Sequence, residues 1–359
     1  MNRREILLAG LAGTSLVGLP RFASAEPEPK LLTVSSRTLE VNGKAAKVYG
    51  LTGPDGKPGL SMLLGEHFRV RVKNETDTDT VIHWHGLTPP FGQDGVAMYG
   101  QPTIPTGGTL DYDFVNTRSA THWMHSHMGL QEQQLLAAPL IVRETREPLF
   151  DGQEHVVMLH DFTFRNPQEI LAELTGGGGG HAGHMMMQGG GMDHATTGQD
   201  GGAMDGMQGM AGMGMLNDIT FDAYLANDRT LADPEVVTVD KGISLRLRII
   251  NGSAASNMWI DLGALEGELI AVDGNAIYPM KGSVFPLAMA QRADIRITVP
   301  QEGGAFPVLF RPEGVKQRAG IILASPGAEV PKLAVEGDVA PALDLAQERL
   351  YRAVARLPQ

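Results

Sequence analysis

Phe68-Arg69-Val70-Arg71-Val72-Lys73 alternates apolar and basic residues one by one. A period of two sends Phe68, Val70 and Val72 to one face and the charged side chains to the other, the pattern of a half-buried strand. Outward from it, residues 80–84 form a second candidate strand. Residues 109–116 form a third, with Leu110, Tyr112 and Phe114 on one face, and 138–142 a fourth. Gly, Pro, Asn and Asp separate these runs at short intervals, which favours an antiparallel sandwich over alternating strands and helices. A first domain is expected at 26–147. A second series starts at His155-Val156-Val157-Met158-Leu159 and resumes at Ile219-Thr220-Phe221. It continues through 244–250, 269–272, 293–299, 308–310 and 321–324. This predicts a second sandwich over 148–330 and an all-β fold.

The second series is interrupted at 176–215. That stretch is glycine-rich and holds nine of the chain's eighteen methionines, with His181, His184 and His194. It has no apolar period and reads as a disordered insertion. Thioether sulfur is a soft ligand that favours Cu(I). Met185, Met186, Met187 and Met192, with His181 and His184, are therefore auxiliary Cu(I) ligand candidates; a linker without a role is the other reading. Residues 342–357 show helical spacing (Leu343, Leu345, Leu350, Val354, Leu357) but are too short for a domain.

Residues 1–25 read as an export signal. Arg3 and Arg4 stand as a pair, an apolar run follows over 6–19, and Ala23-Ser24-Ala25 forms a small-x-small cleavage site. The paired arginines point to the twin-arginine route and a periplasmic protein. No later stretch is apolar enough to span a bilayer. A net charge of -12 and a pI near 5.4 argue against binding nucleic acid through its phosphates. The chain has no cysteine, which removes disulfides, thiolate metal ligands and cysteine nucleophiles alike.

Two His-x-His motifs carry the chemistry: His83-Trp84-His85 and, about forty residues on, His125-Ser126-His127. On a strand, residues i and i+2 share a face, so each motif can aim two imidazoles at one side. If the two segments are neighbours, four neutral nitrogen ligands converge. Such a set suits copper, nickel or zinc better than calcium or magnesium. Imidazole ligands also imply that metal binding weakens below about pH 6. His122 reads as a packing residue, and His67, His155 and His160 as structural.

The runs His83-Trp84-His85-Gly86-Leu87 and Thr121-His122-Trp123-Met124-His125-Ser126-His127 closely resemble the first two copper motifs of the multicopper oxidases, in particular the bacterial laccase-like and copper-resistance type. The resemblance extends over both predicted domains. It implies cupredoxin-like Greek-key sandwiches. It also implies copper as cofactor, with a type 1 copper taking electrons from substrate and a trinuclear cluster reducing dioxygen to water. By position, His83 would hold the type 2 copper, and His85, His125 and His127 the type 3 pair. Asp94, in Gln93-Asp94-Gly95, matches an acidic residue that relays protons; as a bare Asp-Gly pair it reads as a turn.

This sequence departs from the family in its C-terminal motifs. No histidine follows His194, and there is no cysteine for a type 1 copper, so half of the cluster ligands are missing. The resemblance therefore implies a truncated oxidase, with 331–359 as a tail or linker to an absent third domain. Activity on phenols or Cu(I) would then need a third domain or a partner chain on a solvent-exposed four-histidine face; the isolated chain is expected to be inactive. Two alternatives are a non-catalytic periplasmic copper-binding, copper-tolerance protein and a zinc hydrolase.

Overall fold

The computed structural model describes residues 28–97, 100–144, 152–176, 216–344 and 346–355. The export segment and residues 177–215 lie outside the described residues, and with them His181, His184, Met185, Met186, Met187 and Met192.

Two four-stranded sheets make the first sandwich. One has the order β2-β1-β4-β6, from Lys44–Thr52, Lys30–Val41, His67–Asn74 and Thr109–Val115. The other has the order β3-β8-β7-β5, from Leu60–Leu63, Ala137–Arg143, Ala120–Ser126 and Ile82–His85. Two pairings, β1 with β4 and β3 with β8, are parallel, so the chain crosses between sheets instead of running up and down. The alternating stretch that begins at Phe68 is β4. Phe68, Val70 and Val72 are fully buried, and Phe68 stacks on Phe114 (4.5 Å between centroids) and meets Trp84 edge-on (4.7 Å).

The second sandwich packs a six-stranded sheet on a five-stranded one. The larger has the order β10-β9-β12-β17-β14-β15, from Ala223–Ala226, Gly152–Phe162, Ser244–Asn251, Arg292–Thr298, Gly267–Val272 and Asn275–Gly282. The smaller has the order β11-β19-β18-β13-β16, from Glu235–Thr238, Ala319–Ala324, Ala305–Pro312, Met258–Asp261 and Val284–Leu287. Its core includes Leu247, Ile249, Ile260, Ile295, Phe310 and Ile321, all fully buried. The β-sandwich reading is correct for both halves.

Two local expectations fail. Ile219–Phe221 is not a strand; pairing starts at Ala223, after Asp222 has taken hydrogen bonds from Thr163 Oγ1 and Phe164 N. Among the described residues of 342–357, the only helical turn is one 3-10 turn, Glu348–Leu350. Their backbone groups bond to the second sandwich instead: Leu343 N donates to Glu313 Oε2, Tyr278 N to Arg352 O, and Val354 N to Ala276 O. A short helix, α1 (Pro167–Gly176), follows β9.

The two sandwiches dock through a buried charged network. Arg248, 1% exposed, reaches Glu154 Oε2 at 2.6 Å and Asp294 Oδ2 at 3.3 Å. Thr121 of β7 donates to Asp294 Oδ1 (2.5 Å) and accepts from Arg248 Nη1 (3.0 Å). A strand of the first sandwich is thereby held by two strands of the second. Buried charges are tolerable only when paired and hydrogen-bonded in this way.

Candidate metal centre

The antiparallel register of β5 against β7 builds the site. It sets His83 opposite His125, His85 opposite Trp123 and Trp84 opposite Met124. Directly opposed residues of such a pair lie close enough for their side chains to touch. Trp84 and Met124 point into the first core, which forces His83, His85 and His125 to the other face. His127, one residue past β7, completes the group.

All four imidazoles meet. Ring centroids lie 5.7 Å apart for His83–His85, 5.5 Å for His83–His125, 4.6 Å for His83–His127 and 4.8 Å for His125–His127. His85 Nδ1 and His125 Nε2 face each other at 3.4 Å. One nitrogen from each of His83, His85 and His125 falls within 4.8 Å of the others. Two nitrogens bound across one ion sit at most about 4 Å apart, so modest ring rotation suffices for three of them to share an ion.

The His83 ring is fixed from behind. His83 Nδ1 lies 2.8 Å from the Asp94 carbonyl oxygen. A carbonyl only accepts, so Nδ1 carries the proton and Nε2 keeps a free lone pair for metal. The Asp94 carboxylate is 3.4 Å from the same nitrogen. Asp94 thus stands beside His83. Glu132 Oε2 is 3.2 Å from His125 Nδ1, a carboxylate beside this buried imidazole that is not aligned for a hydrogen bond. The Gln131 side chain ties the His127–Gln131 loop down by accepting from Thr80 and Ser126 and donating to Asp79 O. Sequence reasoning missed Glu132; the available signal was a carboxylate in the Gln131-Glu132-Gln133 turn that follows the second motif.

The face is less open than expected. His127 is exposed, but His83 and His85 are half-buried and His125 is 5% exposed. The second sandwich causes this. Trp123, stacked on His125 at 4.1 Å and on His85 at 4.9 Å, packs against Met158 and Ile250. Enclosure also lowers the pH range of the site. Burial pushes His85 down to about 3, assisted by the Arg292 guanidinium and the other imidazoles. Partial desolvation, then His125 and His83, push His127 to about 4. Burial lowers His83 as well, against the pull of its bond to Asp94. Loss of metal near pH 6, expected from unperturbed imidazoles, is therefore displaced downward.

The remaining histidines play other parts. His67 pairs with Asp113 (2.8 Å) and His155 with Glu235 (3.1 Å). His122 is buried under Gly86. His160 is buried with both ring nitrogens lacking a hydrogen-bond partner. No helix among the described residues is long and apolar enough to cross a membrane.

Comparison with known proteins agrees with this geometry. Multicopper oxidase family profiles match residues 33–147 and 153–324. Copper resistance protein A of Escherichia coli is 29% identical over 321 residues, covering 85% of this chain and 53% of that protein. Multicopper oxidase MmcO of Mycobacterium tuberculosis is 28% identical, covering 79% of this chain and 53% of that protein. The chain spans about half the length of these relatives. Among solved structures, the multicopper oxidase Fet3p superposes with a TM-score of 0.65 at 17% identity, over 88% of this chain and 55% of Fet3p. Blue copper oxidase from Nitrosomonas europaea superposes with 0.61 at 16% identity, over 90% of this chain and 98% of that one. With two profiles spanning both sandwiches and a four-imidazole face whose donors fit copper, the chain belongs to the multicopper oxidase family.

Proposed function

We propose that this chain supplies one half of a multicopper-oxidase copper centre. The convergence of four imidazoles on one face of the first sandwich carries the reading. His83 would hold the type 2 copper, and His85, His125 and His127 the type 3 pair. Copper bound there supplies one-electron redox chemistry, which in this family serves dioxygen reduction. The chain's own residues present ligand lone pairs. The Asp94 carbonyl sets the His83 tautomer, the Glu132 carboxylate lies beside His125, and the Asp94 carboxylate, 3.4 Å from His83, would serve as a proton relay. The sequence contains no thiolate for a type 1 copper. Electron entry and the remaining ligands would come from protein outside this sequence, either a further domain or a partner chain seated on the histidine face. Phenols or Cu(I) are the reductants this assigns. Relatives named for copper resistance favour a role in copper tolerance. The paired arginines and the apolar run behind them favour twin-arginine export to the periplasm.

The missing cysteine favours a second reading, a non-catalytic periplasmic copper-binding protein. Copper loading of the purified chain separates the two. We expect at most about one or two copper ions bound through imidazole nitrogen, lost in His125→Ala, with no thiolate charge-transfer band and no oxygen uptake. Oxygen uptake restored by a polypeptide that carries the missing ligands establishes the oxidase reading; a chain that holds copper and stays inert with such a polypeptide is a carrier. Copper binding unchanged in His125→Ala would sink both.

A further inference from the structure

We propose that Arg292, a residue of the second sandwich, positions the His85-Gly86 turn and biases copper held at His85 toward Cu(I). The inference rests on the copper reading above and concerns a residue that lies in neither His-x-His motif.

Arg292 opens β17 and is 5% exposed. Its Nε donates to Thr121 O (3.3 Å), its Nη1 donates to Ala290 O (3.1 Å), and Nη1 pairs with Asp273 Oδ1 (3.1 Å). The other end of the guanidinium lies against Gly86. A Cβ placed on Gly86 would stand 2.7 Å from Arg292 Nη2 and 2.5 Å from His122 Nδ1. Gly86 has φ +95°, a conformation open to glycine and strained for other residues. One buried cation thus touches the backbone of β7 ahead of the second motif and the turn that ends the first. Because the group is enclosed, solvent and salt screen its charge weakly. A fixed positive charge beside a metal opposes the 2+ state more than the 1+ state. Asp273 offsets part of this charge; its side chain is 40% exposed and better screened.

The test is a redox titration of the copper-loaded full chain, following the part of the imidazole-bound Cu(II) resonance that His125→Ala removes, which separates this site from copper on the Met- and His-rich stretch. Arg292→Gln should lower the preference for Cu(I) over Cu(II) by about tenfold, equal to 59 mV for a one-electron couple. Arg292→Lys, which keeps the charge, should stay within about threefold of the parent. Asp273→Asn, which unmasks the charge, should move the ratio the opposite way. A ratio unchanged in Arg292→Gln, with copper still on imidazole, overturns the inference alone, as does an Arg292→Lys that falls as far as the glutamine variant. If the glutamine variant does not fold, an Asp273→Asn ratio that rises supports the inference, and one that stays or falls overturns it. Absence of imidazole-bound copper in the parent chain overturns the copper reading and this inference together.

Discussion

Replacing Gly95 with alanine should weaken copper binding although residue 95 touches no ligand nitrogen. Gly95 has φ +78°, and a Cβ there would lie 1.9 Å from Ile82 O and 2.8 Å from His83 N. Both are backbone atoms of β5 and cannot swing aside. Ordinary contact begins at 3.4 Å, so the Asp94-Gly95 turn must retreat by about 1.5 Å. The bond from His83 Nδ1 to Asp94 O, 2.8 Å now, would then exceed hydrogen-bond reach. Left-handed strain of about 1–2 kcal/mol and a lost hydrogen bond of about 1 kcal/mol put the stability cost near 3 kcal/mol. Loss of the group behind a metal-binding imidazole weakens affinity roughly 10–100-fold. Gly43→Ala is the control: its φ is +79°, but nothing lies within 4 Å, so it should cost about 1 kcal/mol and leave copper binding intact. Denaturant unfolding followed by tryptophan fluorescence reads the first quantity, and competition with a chelator of known affinity the second. A Gly95→Ala chain as stable as Gly43→Ala, holding copper as tightly as the parent, would refute the steric argument.

Three further outcomes are expected. Burial pushes His160 down to about 4, while the unfolded imidazole titrates near 6.5, so only the unfolded chain gains that proton as pH falls between these values. Stability is therefore full above pH 6.5 and declines toward pH 4, by up to roughly 3 kcal/mol; His160→Gln should flatten the decline in unfolding experiments across that range. Copper should stay on the site at pH 5, because His85 and His127 remain neutral there; loss of half the bound copper between pH 7 and 5 in equilibrium dialysis would contradict this. Arg248→Met should cost about 3–5 kcal/mol by leaving Asp294 and Glu154 with fewer partners, seen as a lower denaturation midpoint.

Much of this was legible in local pattern. The alternation at 68–73 lies within β4, and 109–116 overlaps β6 to one residue. His83, His85 and His125 fall where strand periodicity puts them, while His127 lies one residue past β7. Other features depend on distant partners and left no local trace. The His83–His125 pairing needs the register of β5 on β7. Arg292 and Gly86 lie about two hundred residues apart, and their contact exists only because the sandwiches dock. The apolar spacing at 342–357 satisfied a helical period, yet the second sandwich offered that segment backbone partners and it took them. The hairpin joining Lys30–Val41 to Lys44–Thr52 was missed, although Asn42-Gly43 is a favoured two-residue turn.

Trp84 stands between two outward imidazoles with its own ring sealed in the core, so β5 is at once the lining of an apolar interior and the wall of the four-imidazole face. Anyone transplanting this histidine face into another scaffold would have to carry the aromatic cluster of Phe68, Trp84 and Phe114 along with the histidines. A host that accommodates only the ligands would inherit their identity without their aim.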